Sequence, residues 1–160
     1  EAEELLEATK SIGGTTSFDY SVSCIGVPTC QIGICESQEI LRETLNYVKE
    51  NVSNIDLLPR LYFSGCGNSC GVHEIAEIGF TGKKKRINDV VEEAYEIHVD
   101  GSFVEGEARL GKCYGDIARK DIPMFICELA NNLNSVNKSF CDYIKSNESE
   151  FKALVEKYNC

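Results

Sequence analysis

Apolar and polar positions switch between two periods along the chain, and the switches mark the predicted elements. Residues 3–12 (EELLEATKSI) predict a short helix stopped by Gly13-Gly14, and residues 18–23 alternate as a strand that delivers Cys24. From Thr29 the period turns helical: Leu41, Leu45, Val48 and Val52 share one face, so a helix is predicted to about Asn51. Residues 60–64 (RLYFS) predict a short strand that runs into Gly65-Cys66-Gly67-Asn68-Ser69-Cys70-Gly71. Ala76, Ile78 and Phe80 alternate, as do Tyr95, Ile97 and Val99, and Asp100-Gly101 is a turn signal. On this reading the basic run KKKR (83–86) lies in the loop between these two strands. Ile122, Ile126, Leu129 and Leu133 mark a helix with Pro123 in its first turn, where a missing N–H costs little. A last helical segment follows from Val136, interrupted near Ser146-Asn147. Strands interleaved with helices, with no repeat or low-complexity linker, predict one domain over residues 1–160. Its class is α+β (α/β layered), a mixed β-sheet flanked by helices.

Composition narrows the function classes. The hydrophobic share of 42% and charged share of 26% suit a globular chain, and no apolar run approaches the roughly 20 residues of a membrane helix. The net charge of −10 opposes nucleic acid and anionic lipid, which need clustered Lys and Arg. We therefore expect no nucleic-acid and no membrane partner. The chain opens with Glu1 and shows no signal-like segment, so it reads as an internal piece of a longer protein. Nine cysteines form an odd count, awkward for a pure disulfide framework, and point to a reducing cytoplasm with some thiolates on metal.

Four of those cysteines fall in two close pairs, Cys24 with Cys30 and Cys66 with Cys70, near Pro28 and the glycines 26, 65, 67 and 71. Glycine lets backbone N–H groups approach inorganic sulfur, where such hydrogen bonds help set a cluster's potential. Thr29 is expected to cap a helix beginning at Cys30, whose positive end favours thiolate. Spacing alone leaves other readings open: structural zinc, which fits the second pair better than the first, a disulfide, or buried free thiols. Cys35, predicted inside the first long helix, and the singletons Cys113, Cys127, Cys141 and Cys160 read as packing residues or exposed thiols. His73 and His98 have no partner legible in sequence and read as structural or surface histidines. The carboxylates of Glu92, Glu93 and residues 148–150 read as solvated faces.

The stretches Cys24-IGVPT-Cys30 and 64–71 (SGCGNSCG), followed by AEIGFTGK (76–83), resemble the paired cysteine signatures of the sirohaem-dependent sulfite and nitrite reductases. The resemblance continues through YEIHVDG (95–101), LGKCYGDI (110–117) and the helix near 121–133. It implies the fold of that family's [4Fe–4S] domain, with the cluster on Cys24, Cys30, Cys66 and Cys70. Cys70 is implied to be the axial ligand of sirohaem as well. Asn68 matches an asparagine inside the second cysteine loop and is a candidate sirohaem contact. Lys83 matches the AEIGF-x-GK segment and is another, although a solvated loop face is the commoner use of such a basic run.

The implied reaction is the six-electron reduction of sulfite to sulfide or of nitrite to ammonia, with electrons from ferredoxin or a flavoprotein. The family binds its small anion with Arg and Lys from an upstream half. This chain is thus expected to be the C-terminal half, without catalytic residues of its own and inactive alone. Gly67 stands where the family usually has proline. VPTC looks more like sulfite reductases and GCGNSCG more like nitrite reductases, so the substrate is not readable. Two rival classes are a stand-alone iron–sulfur electron carrier or redox sensor, and a structural zinc-binding interaction domain.

Overall fold

Five strands form one mixed sheet in which chain order is also spatial order: β1 (Val22–Ser23), β2 (Leu61–Ser64), β3 (Ile78–Ile87), β4 (Val90–Val99) and β5 (Lys112–Ala118). β1, β2 and β3 run parallel, while β3–β4 and β4–β5 are antiparallel. The computed structural model describes residues 1–9 and 13–160. Helix α1 (Ala2–Thr9) precedes the sheet, and its predicted extension through residues 10–12 lies outside the described residues.

The long β3–β4 hairpin corrects the sequence reading of the basic run, because 83–86 lie inside β3 and not in a loop. The turn is Asn88-Asp89, both at positive φ (48° and 63°), as a tight two-residue hairpin requires. Cross-strand charge explains how four consecutive cations fit a strand: Lys84 sits opposite Glu93 and Lys85 opposite Glu92, with Lys84 Nζ 3.0 Å from a Glu93 carboxylate oxygen. β5, not predicted as a strand, adds the outer antiparallel edge.

Helices α2 (Ser37–Asn51), α3 (Ile122–Val136) and α4 (Phe140–Tyr158) join the sheet in one apolar core. Ile40 and Val48 of α2, Phe125 and Leu129 of α3 and Phe151 of α4 are fully buried, as are Phe63, Phe80, Tyr95 and Ile97 of the sheet. Phe63 and Phe80 stack at 4.4 Å across β2 and β3. Pro123 occupies the first turn of α3, and α4 breaks at Asn147 (φ −131°), both where the sequence places them. α4 starts at Phe140, later than predicted, because Asn137 in the left-handed region ends α3 first.

The start of α2 is the main correction. It begins at Ser37, not near Cys30, so Thr29 caps no helix and Cys35 precedes the helix. Residues 24–36 use their backbone groups otherwise: Ile34 and Cys35 N–H both bond Gly65 O (3.1 and 2.9 Å), and Val27 N–H bonds Cys35 O (3.2 Å). The predicted strand 18–23 is likewise a 3-10 turn, Phe18–Tyr20, followed by the two residues of β1. Among the described residues, no helix is long and apolar enough to cross a membrane.

Candidate metal centre

Parallel pairing of β1 with β2 puts the candidate site at one end of the sheet. Val22 pairs with Tyr62 and Ser23 with Phe63, so both strands end side by side, and Cys24 and Gly65-Cys66 leave the sheet together. Cys24 N–H still bonds Phe63 O (2.9 Å), a last rung before the chains diverge. Loop 24–36 carries Cys24 and Cys30, and loop 65–77 carries Cys66 and Cys70. All four cysteines line one cavity of about 200 Å³, with Asn68, and its other walls are Ile25, Ile32 and glycine backbone.

Several polar hydrogens point at these sulfurs. Gly65 N–H donates to Cys24 Sγ at 3.1 Å, and Asn68 Nδ2 donates to Cys66 Sγ at 3.3 Å. Ser37 Oγ lies 3.2 Å from Cys24 Sγ and donates to Cys24 O at 3.0 Å. The exposure of the four is graded: Cys66 is buried, Cys24 and Cys30 half-buried, Cys70 exposed. The chain on both sides of Cys70 is strained, with Ser69 at φ 55° before it and the β-branched Val72 at φ 50° after it. A branched residue there costs about 1–3 kcal/mol, a cost typical of chain bent to serve a site.

Among the described residues, no three His, Cys, Asp or Glu side chains converge closely enough to hold a single metal ion. The donor set is all thiol with no carboxylate, which selects soft metals, and it surrounds a volume instead of a point. A polynuclear cluster fits that arrangement, because the cluster's own atoms stand between its ligands. The remaining cysteines lie elsewhere. Burial pushes the Cys35 thiol up to about 12 and that of Cys141 to about 11, and raises those of Cys113, Cys127 and Cys160.

Lys83 does not line the cavity. Its Nζ lies 2.6 Å from Glu96 and 2.7 Å from Asp116, on the polar face of the sheet with Lys85 and His98. Burial opposes its charge, but the two carboxylates outweigh burial and raise its pKa. The two histidines prove to be neighbours, with ring centroids 4.9 Å apart. His98 Nε2 lies 3.0 Å from Glu96 Oε1, yet out of line for a hydrogen bond. Sequence reasoning missed Ser37 and Ser64 as neighbours of the site. Ser64 lay in view as the residue before the glycine–cysteine segment, whereas Ser37 carried no signal.

No family model matches the chain. The sulfite reductase [NADPH] hemoprotein beta-component of Methylobacterium sp. (strain 4-46) is 31% identical over 122 residues, covering 72% of this chain and 18% of that protein. The ferredoxin–nitrite reductase of Leptolyngbya laminosa is 31% identical over 104 residues, covering 64% of this chain and 19% of that protein. The solved NirA protein of Mycobacterium tuberculosis superimposes with a TM-score of 0.77 at 18% identity, over 94% of this chain and 30% of that one. That likeness shows the same α+β fold. The chain spans about a fifth of the length of the curated relatives it matches.

Proposed function

Because the chain belongs to the sulfite and nitrite reductase family, we propose that Cys24, Cys30, Cys66 and Cys70 hold a [4Fe–4S] cluster and that Cys70 is shared with a sirohaem. The observation that carries this reading is the meeting of four cysteines, from two separate loops, in one cavity. The cofactor pair would supply one-electron transfer to a bound anion, for the six-electron reduction of sulfite to sulfide or nitrite to ammonia. The chain's own residues hold and tune it. Gly65 N–H and Asn68 Nδ2 donate to sulfur and so favour the added negative charge of the reduced state. Ile25 and Ile32 give the cavity apolar walls, although both are themselves exposed. Cys66 is buried and Cys70 exposed, and that exposure supports Cys70 as the thiol shared with a second cofactor.

Asn68 and Lys83 are the proposed contacts to the haem edge. Asn68 borders the cavity already, whereas Lys83 would first have to release Glu96 or Asp116. The anion itself would be bound by Arg and Lys from another part of a longer cytoplasmic reductase, and ferredoxin or a flavoprotein would deliver electrons.

The test is anaerobic purification of the full-length reductase, with assays for iron, acid-labile sulfide and extractable sirohaem, then turnover with each anion. Non-haem iron and acid-labile sulfide in equal amounts, together with sirohaem, are expected, and Cys70→Ser should abolish both cofactor spectra. Zinc without sulfide would overturn the reading. Cluster without haem would convert it to a stand-alone electron carrier.

A further inference from the structure

Behind the cysteine cavity lies a buried polar pair that neither packing nor the proposed ligand set explains. Ser64, the last residue of β2, is 1% exposed, and His73, in the turn after the cysteine loop, is 2% exposed. Ser64 Oγ accepts from Gly71 N–H at 3.0 Å and lies 2.8 Å from His73 Nδ1. Both ends of this connection are pressed onto the sheet. A Cβ on Gly71 would fall 2.1 Å from Phe63 O, and one on Gly79 of β3 would fall 2.1 Å from His73 O. The His98 ring closes the other side. An apolar side chain would fill the same volume without the desolvation cost of a buried imidazole and hydroxyl.

Satisfying the buried hydroxyl assigns the roles. Ser64 Oγ takes the Gly71 hydrogen on a lone pair, and among the described residues His73 Nδ1 is the other group it bonds; were Nδ1 the donor, the buried O–H would go unused, so the O–H donates to Nδ1 and the His73 proton sits on Nε2. Burial first, and then the nearby His98, hold His73 below the ordinary histidine range, with Glu74 and Glu96 pulling weakly the other way. The ring is therefore neutral at pH 7, as the acceptor role requires.

We propose that His73 is a positioning residue: it orients the Ser64 hydroxyl, which captures the Gly71 amide and so fixes the chain immediately after Cys70. The latch stands on the geometry alone. Its consequence for a bound cluster, a fixed direction for the Cys70 thiolate, rests on the cofactor reading above.

Amide hydrogen exchange at Gly71, measured in the full-length protein, tests the latch with or without cofactor. Ser64→Ala and His73→Phe should each speed exchange there about tenfold while the amides of α3 and the β3–β4 ladder are unchanged. Ser64→Thr restores the hydroxyl, and His73→Asn restores an acceptor at the Nδ1 position, so both should recover protection. His73→Gln, whose amide reaches past that position, should not recover it, and the Asn/Gln pair carries the comparison should His73→Phe fail to fold. In cluster-loaded protein the same variants should shift the paramagnetic resonance signal of the reduced centre, and His73→Asn should return it. Gly71 protection equal to wild type in both His73→Phe and His73→Gln would overturn the proposal. A cluster-free wild type with a protected Gly71 would leave the latch standing and the cofactor reading fallen.

Discussion

Gly65 and Gly67 flank the same cysteine and face opposite surroundings. A Cβ on Gly65 would lie 2.7 Å from Cys35 O, whereas one on Gly67 would meet nothing within 4 Å. Gly65→Ala should therefore push loop 24–36 away from loop 65–77, costing about 2 kcal/mol or more and scattering the four thiols. Gly67→Ala should be neutral or stabilise by about 0.4–1 kcal/mol through the unfolded chain. Denaturant titration of the two variants checks the contrast, and equal effects would refute it. The sequence grouped these glycines together as giving access to sulfur. Among the described residues, only Gly65 of this group donates its N–H to a cysteine sulfur, at 3.1 Å. Which glycine is indispensable depends on a carbonyl 30 residues earlier in the chain, at Cys35, and local pattern carries no trace of that approach.

At the scale of elements, the approach to β1 depends on one carboxylate. Asp19 accepts from the N–H groups of Thr15 and Thr16 at 2.9 Å each and from Thr16 Oγ1 at 3.0 Å, and it pairs with Lys49 of α2 at 2.5 Å. The Lys49 bond first, and then the Thr16 amide, hold its carboxyl far below the usual range. A carboxyl whose pKa is depressed on folding adds stability that is complete above about pH 4 and is lost as pH falls further. Asp19→Asn should thus cost about 1–2 kcal/mol at pH 7, and the gap from wild type should narrow by pH 2–3. Urea unfolding at both pH values measures it, and a gap constant with pH would rule the ionised form out as the cause.

Elements with a strong apolar period were legible: α3, the break in α4, β2 and the alternating part of β4 all fall where the pattern puts them. Those fixed by partners were not. The basic half of β3 is held by glutamates across the hairpin, and β5 by pairing with β4. The delayed start of α2 is set by Gly65 O, which takes the amides of Ile34 and Cys35.

For the molecule as a whole, the candidate site lies at one end of the sheet and draws on two loops that already meet at Gly65, whose carbonyl takes the amides of Ile34 and Cys35. Metal held there would add its binding free energy to folding without being needed for the sheet and helices. Iron removal by chelator under anaerobic conditions should therefore leave the helical circular dichroism in place and lower the melting temperature by several degrees. The accompanying thiol titre is the sharper measurement. Burial raises the pKa of Cys35, Cys127, Cys141 and Cys160, which slows their reaction with disulfide reagents at pH 7 whether or not metal is present. Cys113 is exposed in both states and cancels in the difference. The native-state titre should rise by four on metal removal, one for each of Cys24, Cys30, Cys66 and Cys70. A rise of two in the wild type would assign the metal to one pair alone, and with it a site that does not bridge the two loops.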